Sequence, residues 1–183
     1  MSTALLVVDV QNDYFPGGAM EVPGSGDCAA RVAELLAAFR GAGAPVLHLR
    51  HLSVRPGATF FLPGTPGAEI HPAAAPAPGE RVLEKHFPNG FRETPLQEAL
   101  REAKADRLVV CGMMTQMCID ATTRAAFDLG FRCEVAQDAC AARPMTFAGR
   151  AVAAPDVHAA FLAALGSVYA KVSPAAQIAA AAR

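Results

Sequence analysis

The chain has 183 residues, enough for one domain, residues 1–183, that buries its own core without disulfide staples. Its charged fraction of 18% is low, and a formal net charge of -1 with both signs scattered excludes the basic stripe that neutralises phosphate backbones, so no nucleic-acid partner is expected. The N-terminal LLVV has no basic residues before it and is interrupted by Asp9, too early for a signal peptide or a membrane span; a soluble, cytoplasmic protein without membrane association is expected.

Apolar runs and helical patterns alternate along the chain. ALLVVDV (4–10) reads as a strand, CAARVAELLAAFRGAG (28–43) as a helix and APVLHLR (44–50) as a strand. A weaker strand follows at RVLEK (81–85), then a helix at TPLQEALREAKA (94–105), a strand at DRLVVCG (106–112) and a helix at CIDATTRAAFDLG (118–130). FRCEVAQ (131–137), PDVHAAFLAALG (155–166) and GSVYAKV (166–172) complete the series as strand, helix and strand. Gly41, Gly43 and Gly130 stand where helix C-terminal caps belong.

These strands lack strict alternation, as strands buried on both faces do. The fold class is therefore α/β: three layers, α/β/α, around a doubly wound, mostly parallel sheet of about six strands. Residues 53–80 break the rhythm, being rich in Pro, Gly and Ala. A connection of that length is a lid, an interface arm or a linker, and Phe60, Phe61 and Ile70 argue against a pure linker.

In such sheets ligands bind beyond the carboxyl ends of the strands, which directs attention to Asp9, Arg50, His51, Lys85, the GMMT turn after Cys111, and Asp138. Taken alone, Asp9 reads as a turn carboxylate accepting local N–H groups, and Lys85 as a solvated lysine. Side by side they explain each other, since the lysine lowers the cost of a buried carboxylate. The five cysteines include no CxxC pair and no zinc pattern, and most suit core packing. Cys118 differs because it opens a helix, where free N–H groups and the helix dipole favour a thiolate and lower its pKa.

Three motifs, DVQNDYFPGG with Asp9, KHFPNGF with Lys85 and CGMMTQMCIDATTRAAFDLG with Cys118, stand in the order and approximate spacing of one family. Across nearly its whole length the chain resembles the isochorismatase-like cysteine hydrolases, among them nicotinamidases, N-carbamoylsarcosine amidohydrolases, ureidoacrylate hydrolases and streptothricin hydrolases. The resemblance implies a triad: Cys118 as nucleophile, Asp9 as general acid/base and Lys85 as electrostatic partner, acting through a thioester. It further implies a cis peptide between Met113 and Met114, with the backbone N–H groups of Met114 and Cys118 as the oxyanion hole. Gln11, Tyr14 and Phe91 correspond to pocket positions in the family, with ordinary packing as the alternative. Met114, Gln116 and Met117 stand where their side chains can line the same pocket.

The nicotinamidases carry an Asp-x-His metal motif after the second strand, where this chain reads VLHLRHLSVRPG with no Asp two before a His. No catalytic metal and no cofactor are expected. Isochorismatases proper cleave a vinyl ether and lack the cysteine, so Cys118 favours C–N substrates. Arg50 and Arg55, with His51, are candidates for binding an anionic group, with solvated surface arginine as the alternative. The leading expectation is a cysteine amidohydrolase acting on a small amide, cyclic amide or carbamoyl compound and assembled as a homodimer or homotetramer. The alternatives are a vinyl-ether hydrolase and a redox or scaffold protein; a dinucleotide binder fails for want of GxGxxG after the first strand.

Overall fold

A computed structural model of the protein describes residues 2–182. Its central sheet is wholly parallel and contains β1 (Ser2–Val8), β2 (Val46–His51), β3 (Arg81–Lys85), β4 (Ala105–Met113), β5 (Arg132–Ala141) and β8 (Ala170–Ser173), in the order β3-β2-β1-β4-β5-β8. A two-stranded antiparallel hairpin, β6 (Met145–Phe147) with β7 (Arg150–Val152), stands apart from it.

Side-chain alternation along β1 divides the core into two layers. Leu5 and Val7 face a cluster built with α1 (Ser25–Gly41) and α5 (Ala175–Ala181), through residues such as Leu35, Phe39 and Ile178. Ala4, Leu6 and Val8 face the opposite cluster, which takes Leu96 and Leu100 from α2 (Leu96–Glu102), Ala126 from α3 (Asp120–Asp128) and Leu165 from α4 (Ala154–Val168). Helices on both faces make the expected three-layer arrangement, and Val- and Leu-rich strands are what a sheet covered on both sides requires.

From β1 the strand order runs outward one way through β2 and β3, and from β4 the other way through β5 and β8. The crevice between β1 and β4 is thus the topological switch point, where such sheets bind ligands. The two strands approach closely there. A Cβ on Gly112 would lie 2.0 Å from the carbonyl oxygen of Val8, and its φ of 116° suits glycine alone.

Several sequence expectations need adjustment. β5 runs on to Ala141, its register against β4 shifting between Val110 and Gly112, so Asp138 does not end a strand; its Oδ1 accepts a bond from the N–H of Ala175 at the start of α5. The stretch 166–172 splits, because α4 continues to Val168 before β8 begins. Gly41 is the last residue of α1 and not a cap beyond it. The hairpin and α5 were not anticipated: the hairpin is almost wholly exposed, and a short alanine-rich helix has no amphipathic period to read. Among the described residues no helix is long and apolar enough to cross a membrane.

Candidate active site

Asp9 follows β1 directly, and its φ of 49° places it in the left-handed region, which Asp tolerates better than most residues. Lys85 ends β3, and Cys118 lies in a π-helical turn, Thr115–Ile119, between β4 and α3. Three separate strand ends thus deliver the three side chains to one place. Asp9 and Lys85 are both completely buried, and Lys85 Nζ lies 2.7 Å from Asp9 Oδ2 and 3.3 Å from Cys118 Sγ.

The ammonium has two further contacts, the carbonyl oxygen of Phe87 at 3.1 Å and Nδ1 of His51 at 3.0 Å. Burial alone would lower the pKa of Lys85, but Asp9 and Cys118 outweigh it and hold it above the ordinary value. Lys85 therefore stays charged. Burial, reinforced by Lys85, lowers the His51 imidazole to about 4, so the ring is neutral near pH 7 and its Nδ1 accepts from the ammonium.

The ion contact with Lys85 does not satisfy Asp9. Neither carboxylate oxygen has a hydrogen bond of ordinary geometry among the described residues. With Oδ2 against the ammonium, Oδ1 is the oxygen left for a thiol proton or a substrate group. Burial and the nearby Asp9 raise the Cys118 thiol above its usual pKa, against the lowering pull of Lys85. The expectation of a thiol acidified by a helix N-terminus thus needs correction: Cys118 sits inside a π turn and out of water, so it rests protonated beside a carboxylate that can take its proton.

The sulfur lies at a pocket of about 140 Å³. Tyr14, Phe60, Phe87 and Pro88 form its apolar wall, Met114 and Met117 line it from the turn, and Ser53, Arg55 and His86 are its polar members. Burial, followed by the proximity of Cys118 and Asp9, raises the Tyr14 phenol well above its normal pKa. The Met113–Met114 peptide bond is cis.

The residues 53–80 are no pure linker: Ser53, Arg55 and Phe60 line this pocket, and the rest packs on the first strand end. Phe61 is fully buried 4.6 Å from the Tyr14 ring centroid; its N–H donates to Asp13 Oδ2 at 2.6 Å, and Gln11 forms an isolated β-bridge with Ile70. A Cβ on Gly67 would collide with the Asp13 carboxylate at 2.1 Å, so the segment is packed down on the first strand end.

Three of the proposed pocket residues lie elsewhere. Gln11 does not line the pocket: its amide donates to the carbonyls of His51 and Ala68 and accepts from the N–H of His51 at 2.7 Å, which sets the end of β2. Phe91 stacks on Phe131 with centroids 6.1 Å apart, because its chain turns toward the α2–α3 face. Gln116 is buried, its Nε2 3.5 Å from the carbonyl of Arg143. Arg50 also falls outside, paired with Glu69 and Glu84. Phe87, Pro88 and His86 were missed, although they adjoin Lys85 in the sequence that pointed to it.

Asp9, His51 and Cys118 bring ligand atoms within 4.8 Å of one another, as a metal site would. The ammonium of Lys85, however, contacts all three, so a cation among them would meet a positive charge already in place. The donor set does not fit a metal.

The isochorismatase-domain family model matches residues 3–177. The isochorismatase family protein YddQ of Bacillus subtilis (strain 168) is 48% identical over 94% of this chain and 96% of its own length. A streptothricin hydrolase of Streptomyces noursei is 41% identical over 90% of this chain, which spans only 56% of that enzyme. Among solved structures, an isochorismatase hydrolase from Oleispira antarctica superposes with a TM-score of 0.95 at 49% identity, covering 98% of this chain and 96% of the other. Similarity reaching from the first strand to the last helix, through every element that carries the site, establishes that the chain belongs to the isochorismatase family and is a hydrolase of that family.

Proposed function

We propose that the protein is a metal-independent cysteine hydrolase that cleaves a C–N bond in a small amide, cyclic amide or carbamoyl compound through a thioester. The observation that carries this reading is the contact of Lys85 with both Asp9 and Cys118 at the base of an enclosed, largely apolar pocket. Asp9 takes the Cys118 proton as the sulfur attacks the carbonyl carbon, and the carbonyl oxygen becomes an oxyanion. The backbone N–H groups of Met114 and Cys118 are the assigned oxyanion donors. Collapse of the intermediate breaks the C–N bond while Asp9 returns the proton to the departing nitrogen. Water, activated by Asp9, then hydrolyses the thioester and restores the thiol. Lys85 offsets the negative charge that moves between carboxylate and sulfur.

A thiol suits carbonyl substrates because it forms an acyl intermediate, which a vinyl ether does not require. Tyr14 and Met117 are proposed to contact the substrate and Gln11 to support the wall, with the assembly a homodimer or homotetramer. The decisive experiment is a screen of amides, cyclic amides, carbamoyl compounds and isochorismate, followed by mass spectrometry of the intact protein during turnover. An acyl adduct mapped to Cys118 and lost in Cys118→Ala supports the reading. Unimpaired turnover of the same substrate by Cys118→Ala sinks it.

A further inference from the structure

The charges around the sulfur cancel, with one exception at the rim. Lys85 and Asp9 form a neutral pair at 2.7 Å, and the neutral His51 ring adds no charge of its own. Tyr14 and the Cys118 thiol are both held protonated by burial. No carboxylate is among the pocket-lining residues.

The neighbouring arginines are occupied. Arg50 is bound between Glu69 and Glu84, and Arg92 stacks on the Phe87 ring, 3.6 Å from its centroid, with Glu93 close by. Arg55 differs from both. It lines the pocket, is exposed, and has no carboxylate partner among the described residues. Arg143, whose charge reaches Tyr14, adds positive potential behind that wall.

A volume of about 140 Å³ equals that of roughly four or five waters in the liquid. A ligand with its carbonyl at the sulfur therefore soon spans the pocket, and among the residues that line it Arg55 is the cation without a carboxylate partner among the described residues. A guanidinium presents paired donors that match a carboxylate.

We propose that Arg55 is a specificity-determining residue that binds a carboxylate at the far end of the substrate, so that the enzyme's substrates are small anionic amides or carbamoyl acids. This assignment rests on Cys118 being the nucleophile of the hydrolase reading.

Two alkylating agents of nearly equal size test it without a known substrate: N-iodoacetylglycine, which carries a carboxylate at its far end beyond the amide, and N-iodoacetylglycinamide, which is neutral. In each, the sulfur forms a C–S bond, iodide leaves and the thiol proton passes to Asp9. Rates at Cys118 are read by peptide mass spectrometry, separating it from the other four cysteines, and the ratio of the two is normalised to that of glutathione. Because Lys85 also attracts an anion, the variants carry the test. Arg55→Gln is expected to lower the normalised ratio of the acid's rate to the amide's about tenfold, the scale of losing a charge-assisted hydrogen bond, whereas Arg55→Lys retains most of it.

An unchanged ratio in Arg55→Gln overturns the assignment. Failure of both reagents to reach Cys118 overturns both the assignment and the nucleophile reading. A ratio that falls in a protein that hydrolyses no amide supports the anion site and counts against the hydrolase reading alone.

Discussion

Asp9, at the carboxyl end of the sheet, and Glu134, toward its amino end, are both buried carboxylates beside cations, but their oxygens are treated in opposite ways. Glu134 accepts from Ser173 at 2.6 Å, lies 3.1 Å from the Lys171 ammonium and contacts Arg107, and both cations reach solvent. Burial would raise its pKa, yet these three partners outweigh burial and lower it. Asp9 has one cation, itself fully buried, and no well-directed hydrogen bond. A carboxylate satisfied on every side is a fastener. One left short of partners is available for proton transfer, at a cost in stability that the surrounding core offsets.

The cavities beside the two carboxylates point the same way. The one near Glu134 is larger, about 430 Å³, and is lined by Ser2, Arg107, Lys171 and Gln177. No thiol is among its lining groups. The pocket at the other pole is about 140 Å³ and has a thiol and a neutral imidazole among its lining groups.

Variants should separate the two carboxylates. The largest effect is expected from Cys118→Ala, a loss of activity on the order of 10⁴-fold or more, measured as kcat/KM on the substrate found by screening, with the fold retained by circular dichroism. Next, Asp9→Asn should cost about 10²- to 10⁴-fold in kcat, whereas Glu134→Gln should leave kcat within a factor of two or so, since it lies outside the pocket. Equal kcat losses in these two variants would erase the distinction.

Stability should follow a different pattern. Lys85→Met leaves Asp9 buried without its cation and is expected to cost about 3–5 kcal/mol in urea unfolding at pH 7. Glu134→Gln keeps a hydrogen-bonding side chain next to cations that can turn to solvent, so its expected cost is smaller, about 1–3 kcal/mol.

The effect confined to mildly acid solution is the pH response of His51. Its folded pKa, about 4, lies below the ordinary value of 6.5, so the unfolded chain binds the proton more readily. Stability from this group is full above pH 6.5 and declines as pH falls from there toward 4. His51→Asn should flatten the stability profile within that window, and a profile unchanged by the substitution would show that His51 is not held neutral.

Much of the site was legible because strand ends can be read in one dimension. Asp9, Lys85 and Cys118 each follow or close an apolar run, and a parallel sheet brings such positions to one edge. The role of His51 was less legible. The sequence places it at a strand end, but nothing in VLHLRH distinguishes it from His48, which the structure instead directs to Glu80 at 2.9 Å. Phe91 illustrates the reverse failure, a residue close to Lys85 in sequence that the chain turns away from the pocket.

The sequence by itself determined the layer order, most of the sheet strands and which side chains stand at the strand ends where Asp9, Lys85 and Cys118 meet, since these depend on apolar periodicity and on residue type. Only the tertiary structure decided how those side chains are charged. Burial of Cys118 keeps its thiol protonated, burial reinforced by Lys85 keeps His51 neutral, and packing of Phe60 and Phe61 against Tyr14 brings Arg55 into the pocket lining. Desolvation and charge pairing are properties of neighbours in space, and those neighbours come from segments scattered along the chain.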